Sequence, residues 1–328
     1  ESKHQGYIAQ SDKIIKKGDE MKPKFSKLKS EKEIQKSFPK AKIISYNRFK
    51  EGLVNPTYKI NIKNPKKTVV IKLYKIENLK NIKKTIEIFD YLSKRKFPVP
   101  KIYSNNIFEN QGIVVLEHFR GENALELYNK SPNKIKQKLL ENSGKLLRRL
   151  HKIKIPEFWI HNKHEVKSEK EWIKWTQLRV KKYLKFAKEN LDKKYYDFLK
   201  EEFQDFLRLL KKDVNFVPLH WDYHLSNMIT TKKGEVVGLL DFDNAMKGHS
   251  FADIGQSKYF IRFWSKDYEN FDYFLKGYGV KNKEQEKLIH GYFLLHLVAV
   301  TRNIWGKKKY NWIFKKHHKM LDEVMKLK

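Results

Sequence analysis

The stretch PLHWDYHLSNMITTKKGEVVGLLDFD, residues 218–243, carries the most informative pattern in the chain. Two short runs rich in apolar and β-branched residues, 228–231 and 235–240, flank the segment Lys-Lys-Gly at 232–234. Short β-rich runs on either side of a glycine-containing segment are typical of a β-hairpin. The sequence therefore predicts two strands joined by a tight turn.

Three polar side chains stand at the ends of this predicted hairpin. Asn227 precedes the first strand, Asp241 follows the second, and Asp222 lies on the loop that leads into the hairpin. Because a hairpin brings the start of its first strand beside the end of its second, we expect Asn227 and Asp241 to lie close together. Mg²⁺ prefers oxygen ligands and is commonly held by one or two carboxylates together with nucleotide phosphates. The segment therefore predicts a magnesium site with a third carboxylate nearby.

The same segment resembles that of a known group of enzymes. The pattern His220-x-Asp222-x-x-x-x-Asn227, followed by Asp241-Phe242-Asp243, is similar to the catalytic and metal-binding segments of the kinase-like phosphotransferases. The aminoglycoside phosphotransferase and choline kinase group matches more closely than the eukaryotic protein kinases do. A small residue usually stands in that group where this chain has Trp221, so we expect the loop to differ in shape here.

The resemblance implies a fold and a division of the chain. It implies an α+β, bilobal protein-kinase-like fold, with a small antiparallel sheet and one helix in the first lobe. The second lobe would be larger, mainly helical, and would carry the catalytic hairpin. We expect an N-terminal extension at 1–38, a nucleotide-binding lobe at 39–118, and a catalytic and acceptor-binding lobe at 119–328.

The resemblance also implies roles for the motif residues. Asp222 would orient and deprotonate a substrate hydroxyl, while Asn227 and Asp241 would ligate Mg²⁺ and Asp243 would support the metal site. ATP or GTP would serve as phosphate donor. Phosphoryl transfer asks a protein mainly to position the reacting groups and to neutralise charge, which these residue types can do.

The first lobe offers candidates for binding the nucleotide phosphates. A strand–turn–strand pattern at 41–62 contains Gly52, Asn55 and Thr57 in its turn, where the family has its phosphate-covering loop. The apolar strand predicted at 68–74 carries Lys72, which the resemblance assigns to the α- and β-phosphates.

A helix predicted at 77–96 follows this strand, and the resemblance implies that it offers a carboxylate to the lysine. Our candidate is Glu87, with Glu77 and Asp90 as alternatives, although the family spacing points nearer to Thr85. The buried strand predicted at 112–119 would lead into the hinge between lobes. Its backbone near Glu117 and Phe119 would bind the adenine edge.

Composition limits the remaining possibilities. The 328-residue chain has no cysteine, which excludes disulfides and thiolate metal sites, and no apolar run reaches membrane-spanning length. Together these features predict a cytoplasmic protein. The net charge of +33 suggests a polyanionic partner, but the lysines are spread along the whole chain, which favours a solvated surface over a nucleic-acid site.

The sequence therefore predicts an ATP-dependent O-phosphotransferase acting on a small molecule: an amino sugar or aminoglycoside, an amino alcohol, or a sugar. The alternatives are a protein-kinase-like enzyme with a macromolecular acceptor, and a non-catalytic RNA- or polyanion-binding module. Acidic residues could form a pocket for a polycation, and aromatic residues could form a cage for a quaternary amine. The acidic candidates are Glu269, Asp272, Glu284 and Glu286, and the aromatic ones are Phe260, Phe263, Trp264, Tyr268 and Tyr273.

Overall fold

The chain divides into two compact units. The computed structural model describes residues 25–49, 55–75, 79–108, 111–159, 166–212, 215–265 and 270–326. The first unit comprises residues up to Gly121 together with Val237–Asp243, and the second comprises Glu122–Val236 and Asn244 onward. The DFD segment therefore belongs to the first unit, although it lies far along the chain from the rest of that unit.

The strands in chain order are β1 Lys42–Arg48, β2 Thr57–Lys63, β3 Lys67–Lys75, β4 Ile102–Phe108, β5 Gln111–Glu117, β6 Glu122–Asn123, β7 Phe216–Leu219, β8 Met228–Thr230, β9 Val236–Leu239 and β10 Met246–His249. The helices are α1 Lys27–Gln35, α2 Leu79–Ser93, α3 Ala124–Lys130, α4 Asn133–His151, α5 Glu169–Asn190, α6 Lys193–Leu210, α7 Phe251–Trp264, α8 Phe271–Tyr278, α9 Lys283–Ile304 and α10 Asn311–Lys326.

The first unit is built on a five-stranded antiparallel sheet in the order β1-β2-β3-β5-β4. Alternation along the central strand β3 decides which side chains enter the core, since successive residues of a strand face opposite ways. Ile71 and Leu73 are fully buried in a cluster that also contains Ile34 of α1. Lys72 therefore projects from the opposite face, as its position between two apolar residues predicts.

Helix α2 packs on β3, β4 and β5 and ends before the segment Pro98-Val99-Pro100. Proline restricts the residue before it to extended conformations, so the helix cannot continue through this segment. The N–H of Leu239 donates to the carbonyl of Pro98 at 2.7 Å, which ties β9 to this extended stretch. The predicted strands, the helix after β3 and the buried strand before residue 119 are all confirmed.

The second unit is mainly helical. Its long helices α4, α5, α6 and α9 pack with α7 and α8, and β7 pairs with β10 in an antiparallel ribbon that places Leu219 opposite Met246. The turn predicted at 232–234 is confirmed: Gly234 has φ +77°, and the N–H of Thr231 donates to the carbonyl of Glu235 at 2.9 Å. Within the described ranges, no helix is both long and apolar enough to cross a membrane.

Candidate active site

In the first unit, Lys72 meets the two aspartates of the DFD segment. Its Nζ lies 3.1 Å from Asp241 Oδ1 and 3.0 Å from Asp243 Oδ2. The pairing joins the centre of β3 to a segment about 170 residues later in the chain. The structure thus brings three of the predicted site residues together, with the Lys72 ammonium between the two carboxylates.

The Asp243 carboxylate is saturated with donors. Its Oδ2 accepts from Asn55 Nδ2 at 2.8 Å and from Lys72 Nζ, and its Oδ1 accepts from Tyr74 Oη and Thr85 Oγ1, both at 3.1 Å. All five of these residues are buried. A buried carboxylate is stable only when it is paired and hydrogen-bonded, and this one has two donors on each oxygen.

Burial and charge act in opposite directions on Lys72. Burial by itself would lower the pKa of the ammonium group, but the negative charges of Asp241 and Asp243 outweigh it and raise the pKa well above its usual value. Burial, followed by the charge of Asp243, also raises the pKa of the Tyr74 hydroxyl well above its usual value. Lys72 therefore stays a full positive charge and Tyr74 a neutral donor at physiological pH.

Helix α2 reaches this cluster through residues other than the predicted carboxylate. Lys72 forms ion pairs with the DFD aspartates, and Glu87 is not among its partners in the described part of the chain. Thr85 occupies the neighbourhood instead, as the family spacing suggested, and the buried Lys84 donates from Nζ to the carbonyl of Asp243 at 2.8 Å. The Glu87 assignment is corrected because α2 presents Lys84 and Thr85, three and two residues earlier, towards the DFD segment.

Asp241 differs from Asp243 in its exposure to solvent. Its side chain keeps 33% of its surface exposed, against 10% for Asp243. Its φ of +62° lies in the left-handed region, which L-residues other than glycine, Asn and Asp rarely adopt. Asp241 therefore carries the more accessible carboxylate of the pair.

In the second unit, the loop after β7 is held by Asp253 of α7. Its Oδ2 accepts the N–H of His220 at 2.8 Å and its Oδ1 accepts the N–H of Trp221 at 2.9 Å. Asp253 is fully buried and also contacts His151 Nε2 at 3.2 Å. Asp253 therefore braces this loop from α7, and the buried His151 packs against it.

Trp221 adopts the conformation that the family's small residue would take easily. Its φ of +59° is in the left-handed region, where a bulky side chain costs roughly 1–2 kcal/mol. Gln256 Nε2 donates to its carbonyl at 3.3 Å, which adds to the hold of Asp253 on its N–H. Contacts from α7 thus hold a tryptophan in a backbone geometry that favours glycine, and the expected difference in loop shape stays a prediction.

Asp222 follows Trp221 directly and lies on the same loop. It is 4% exposed, and its Oδ1, 3.2 Å from His224 Nε2, has no hydrogen-bond donor of acceptable geometry among the described residues. Asn227 Nδ2 donates to the Asp222 carbonyl at 2.9 Å. That bond leaves the amide oxygen of Asn227 free of any donor in the described ranges, so loop and hairpin start together offer two unsatisfied oxygens.

Seven other predicted residues fall into three groups. Thr57 donates to the carbonyl of Asn55 at 3.0 Å, which shapes the chain next to Asp243. Glu117 Oε2 accepts the N–H of Lys101 at 3.2 Å, and the Phe119 ring fills the space that a side chain at position 238 would need. The remaining group lies outside the described residues: Gly52, Glu77, Tyr268 and Glu269.

Sequence reasoning missed several partners of the DFD segment. Tyr74 could have been predicted from the sequence, because the residue two places after Lys72 lies on the same face of the strand as Lys72. Lys84 and Asn55 had no such signal, since their contacts depend on how α2 and the turn after β1 pack. Asn227 and Asp241 belong to different units, and their joint action stays a prediction.

Solved structures with a similar fold are aminoglycoside phosphotransferases and a related kinase. The GDP complex of aminoglycoside 2′-phosphotransferase IIIa F108L is 16% identical with a TM-score of 0.67, and the match covers 91% of this chain and 97% of that one. The streptomycin–ATP complex of APH(2″)-IIa is 17% identical with a TM-score of 0.57 over 88% and 93% of the two chains. A predicted fructosamine-3-kinase from Haemophilus somnus 129PT is 16% identical with a TM-score of 0.59 over 89% and 96%. At these identities the likeness establishes the fold, which is the α+β fold of the kinase-like phosphotransferases.

A comparison with curated protein sequences gave no significant match. The model of the phosphotransferase enzyme family, APH, in contrast matches residues 45–285, well over half of the chain. The match contains both the Lys72 strand and the DFD segment, as well as the loop that holds Asp222. The chain belongs to the APH phosphotransferase enzyme family.

Proposed function

We propose that this protein transfers the γ-phosphate of a nucleoside triphosphate to a hydroxyl group of a small molecule, with Asp222 as the general base. The observation that carries the proposal is the state of Asp222 itself. It is a buried carboxylate with an oxygen that lacks a donor, on a loop whose backbone is fixed by Asp253 and Asn227. A substrate hydroxyl would supply the missing hydrogen bond.

That arrangement suits proton abstraction. A general base must lie within hydrogen-bond reach of the proton it accepts, and its position must be held by its surroundings. An acceptor hydroxyl bonded to Asp222 Oδ1 would pass its proton to the carboxylate as its oxygen attacks the γ-phosphorus, and the bond to the leaving diphosphate oxygen would break. The base needs only to orient the nucleophile and to take one proton.

Lys72 is proposed to bind the donor phosphates. It is a fully charged lysine at the centre of a rigid sheet, and its present partners are two carboxylates. Phosphate oxygens would compete for the same ammonium hydrogens, with the charge neutralised in either state. The hinge backbone near Glu117 and Phe119 is proposed to bind the base, and the turn that contains Gly52, Asn55 and Thr57 is proposed to cover the phosphates.

The residues fit a magnesium ion held jointly with the nucleotide. Among the described residues there is no cluster of three or more His, Cys, Asp or Glu side chains that could hold a metal alone. Mg²⁺ typically uses one or two carboxylates and completes its shell with phosphates and water, and it would neutralise charge on the transferring phosphate. Asp241, with its exposed carboxylate, and Asn227, with its free amide oxygen, are the proposed ligands, while Asp243 holds Asp241 and Lys72 in position.

The test is Mg-dependent ATP and GTP consumption with a panel of amino sugars, aminoglycosides, choline and simple sugars. Asp222→Asn keeps the side-chain shape and removes the base. We expect kcat to fall by about 100-fold or more, in the range that general bases contribute, with nucleotide affinity changed less than about twofold. Asp197→Asn is the matched control, because Asp197 is an exposed residue of α6 paired with Lys193.

The outcomes separate clearly. Acceptor-dependent turnover that Asp222→Asn abolishes and Asp197→Asn leaves intact would support the proposal. Turnover in Asp222→Asn close to that of the wild type would remove Asp222 from the mechanism. Phosphorylation of proteins but of no small molecule in the panel would contradict the small-acceptor assignment.

A further inference from the structure

The second unit carries a half-buried group of two aromatic rings and one cation that the proposed chemistry does not use. The rings of Trp175 and Trp221 have centroids 5.8 Å apart at 52°. The guanidinium carbon of Arg179 lies 4.5 Å from the centroid of Trp175 and 5.6 Å from that of Trp221. All three side chains are partly exposed, so they form a surface with an open side. We call these three residues the Trp–Arg surface.

A rigid base supports this surface. Trp172 is fully buried, and its ring contacts both Trp175 and Trp221 at centroid distances of 4.9 and 5.7 Å. Its Nε1 donates to Tyr292 Oη at 2.8 Å. Gly248 of β10 makes room for it, because a Cβ there would collide with the Trp172 ring. The two exposed rings are therefore fixed from below, which lowers the entropy cost of binding against them.

Arg179 has no carboxylate partner among the described residues. Its Nε donates a hydrogen bond to Tyr183 Oη at 3.4 Å. Other arginines of this unit do have such partners: Arg208 pairs with Asp205 and Arg262 with Glu323. A guanidinium has five N–H donors in a planar fork and keeps its charge at all physiological pH values. Arg179 thus presents its remaining donors, together with a full positive charge, beside two aromatic faces.

The Trp–Arg surface adjoins the proposed catalytic base. Trp221 is the residue immediately before Asp222, and adjacent Cα atoms are separated by about 3.8 Å. The clamp of Asp253 on the Trp221 N–H and of Gln256 on its carbonyl fixes this neighbourhood. The left-handed φ of Trp221 is the unusual feature that lets a large ring stand at this place. Trp221 therefore places one edge of the Trp–Arg surface next to Asp222 along the chain.

The geometry points to an acceptor that carries an anionic group, a carboxylate or a phosphate monoester, in addition to its hydroxyl. Arg179 would bind the anion through parallel N–H···O bonds, the arrangement in which guanidinium matches carboxylate and phosphate best. A sugar or other ring would lie on Trp175 and Trp221. A polycationic acceptor would meet repulsion from Arg179 and from the net charge of +33. This inference rests on the proposed function, since it names the class of acceptor for the same site.

The experiment compares matched acceptors that differ in one anionic group. The pairs are gluconate with glucose, glycerate with glycerol, and glucose 6-phosphate with glucose; kanamycin serves as the polycation. Each is assayed for phosphorylation, and for binding by calorimetry with a non-hydrolysable ATP analogue present. The proteins are the wild type, Arg179→Gln, Arg179→Lys and, as control, Arg208→Gln, which removes an exposed arginine of α6.

We expect at least one anionic member to exceed its neutral partner by tenfold or more in kcat/KM or affinity. Arg179→Gln should reduce this preference by about 10- to 100-fold, through KM, and leave the neutral member unchanged. Arg179→Lys should retain part of it, and Arg208→Gln all of it. The carboxylate and phosphate pairs show which anion is bound.

Three results would overturn the inference. The first is that kanamycin or a neutral compound is phosphorylated as efficiently as the anionic compounds. The other two are that Arg179→Gln affects both members of a pair equally, or that no anionic compound binds. The Asp222→Asn variant distinguishes these results from a failure of the proposed function. If kanamycin is phosphorylated in an Asp222-dependent manner, phosphoryl transfer stands and the anionic acceptor is refuted. If no acceptor is phosphorylated and Asp222→Asn changes nothing, both fail.

Discussion

The substitutions Asp243→Asn and Asp241→Asn in the DFD segment should differ strongly in their effect on the stability of the first unit. Asp243→Asn removes the charge of a carboxylate that is 90% buried, and Asp241→Asn removes the charge of one that is one-third exposed. Both charges face the same Lys72 ammonium. The substitutions are chemically identical and two residues apart, so a difference between them reports the environment.

The contacts of Asp243 determine how much the free energy of unfolding should fall in Asp243→Asn. Its amide NH₂ can face Tyr74 and Thr85, whose hydroxyls can turn to accept, while its amide oxygen keeps the bonds from Asn55 and Lys72. Hydrogen bonds are thus conserved and the loss is one of charge. Breaking a buried ion pair from one side costs about 3–5 kcal/mol, and we expect about 3 kcal/mol because Asp241 still faces Lys72.

For Asp241→Asn we expect about 1 kcal/mol or less, because its carboxylate is partly solvated. Its effect should fall on turnover and on the response to Mg²⁺, where the exposed carboxylate is proposed to act. Asp243→Asn should lose stability and turnover together.

Native-state hydrogen exchange, read by mass spectrometry, measures each unit separately. Amides of β3 and β5 in Asp243→Asn should exchange about 100-fold faster than in the wild type, since each 1.4 kcal/mol is a factor of ten. Amides of α4 in the second unit serve as the internal reference. Equal protection of β3 and β5 in the two variants would refute the reasoning, because it would mean that burial does not decide the cost of these charges.

Two further predictions concern the second unit. Gly248→Ala should force the Trp172 ring to move, because a Cβ at position 248 would collide with it. We expect the free energy of unfolding to fall by about 1–3 kcal/mol and the KM for the acceptor to rise, with nucleotide affinity unchanged. Near-ultraviolet circular dichroism and steady-state kinetics measure these effects, and an unchanged tryptophan spectrum would contradict the prediction. Burial lowers the pKa of His317 to about 3, so below about pH 6.5 the unfolded chain binds a proton that the folded chain refuses. As the pH is lowered from about 6.5 to 3, the free energy of unfolding should therefore decrease. Between pH 7 and pH 5 the decrease should be about 2 kcal/mol. Urea titrations at several pH values should show that His317→Gln lacks this decrease in the free energy of unfolding. An equal decrease in the wild type and in His317→Gln would contradict the prediction.

Much of the first unit could be predicted from the sequence because its pattern is local. The alternation around Lys72 depends on strand geometry alone, and it predicts correctly that Ile71 and Leu73 enter the core. The turn at 232–234 and the helix after β3 follow from equally short-range signals. The motif residues of 220–243 could also be chosen, because phosphoryl transfer requires few residue types and their spacing is distinctive.

The partners of these residues could not be predicted in the same way. The α2 carboxylate expected for Lys72 was wrong at Glu87, because helical periodicity tells which face is apolar but not how the helix is rotated against the sheet. That rotation brings Lys84 and Thr85 to Asp243. The charge that balances Lys72 comes instead from the DFD segment about 170 residues away.

The sequence by itself determined the family, the order of strands and helices, and the identity of the polar groups available for chemistry. Each of these depends on residue type and on spacings shorter than about one element. Only the tertiary structure decided that the Asp243 carboxylate is buried while that of Asp241 is one-third exposed, and that Trp221 stands in a left-handed conformation beside Arg179. Burial and long-range charge pairing arise from the packing of distant segments, which no local pattern encodes.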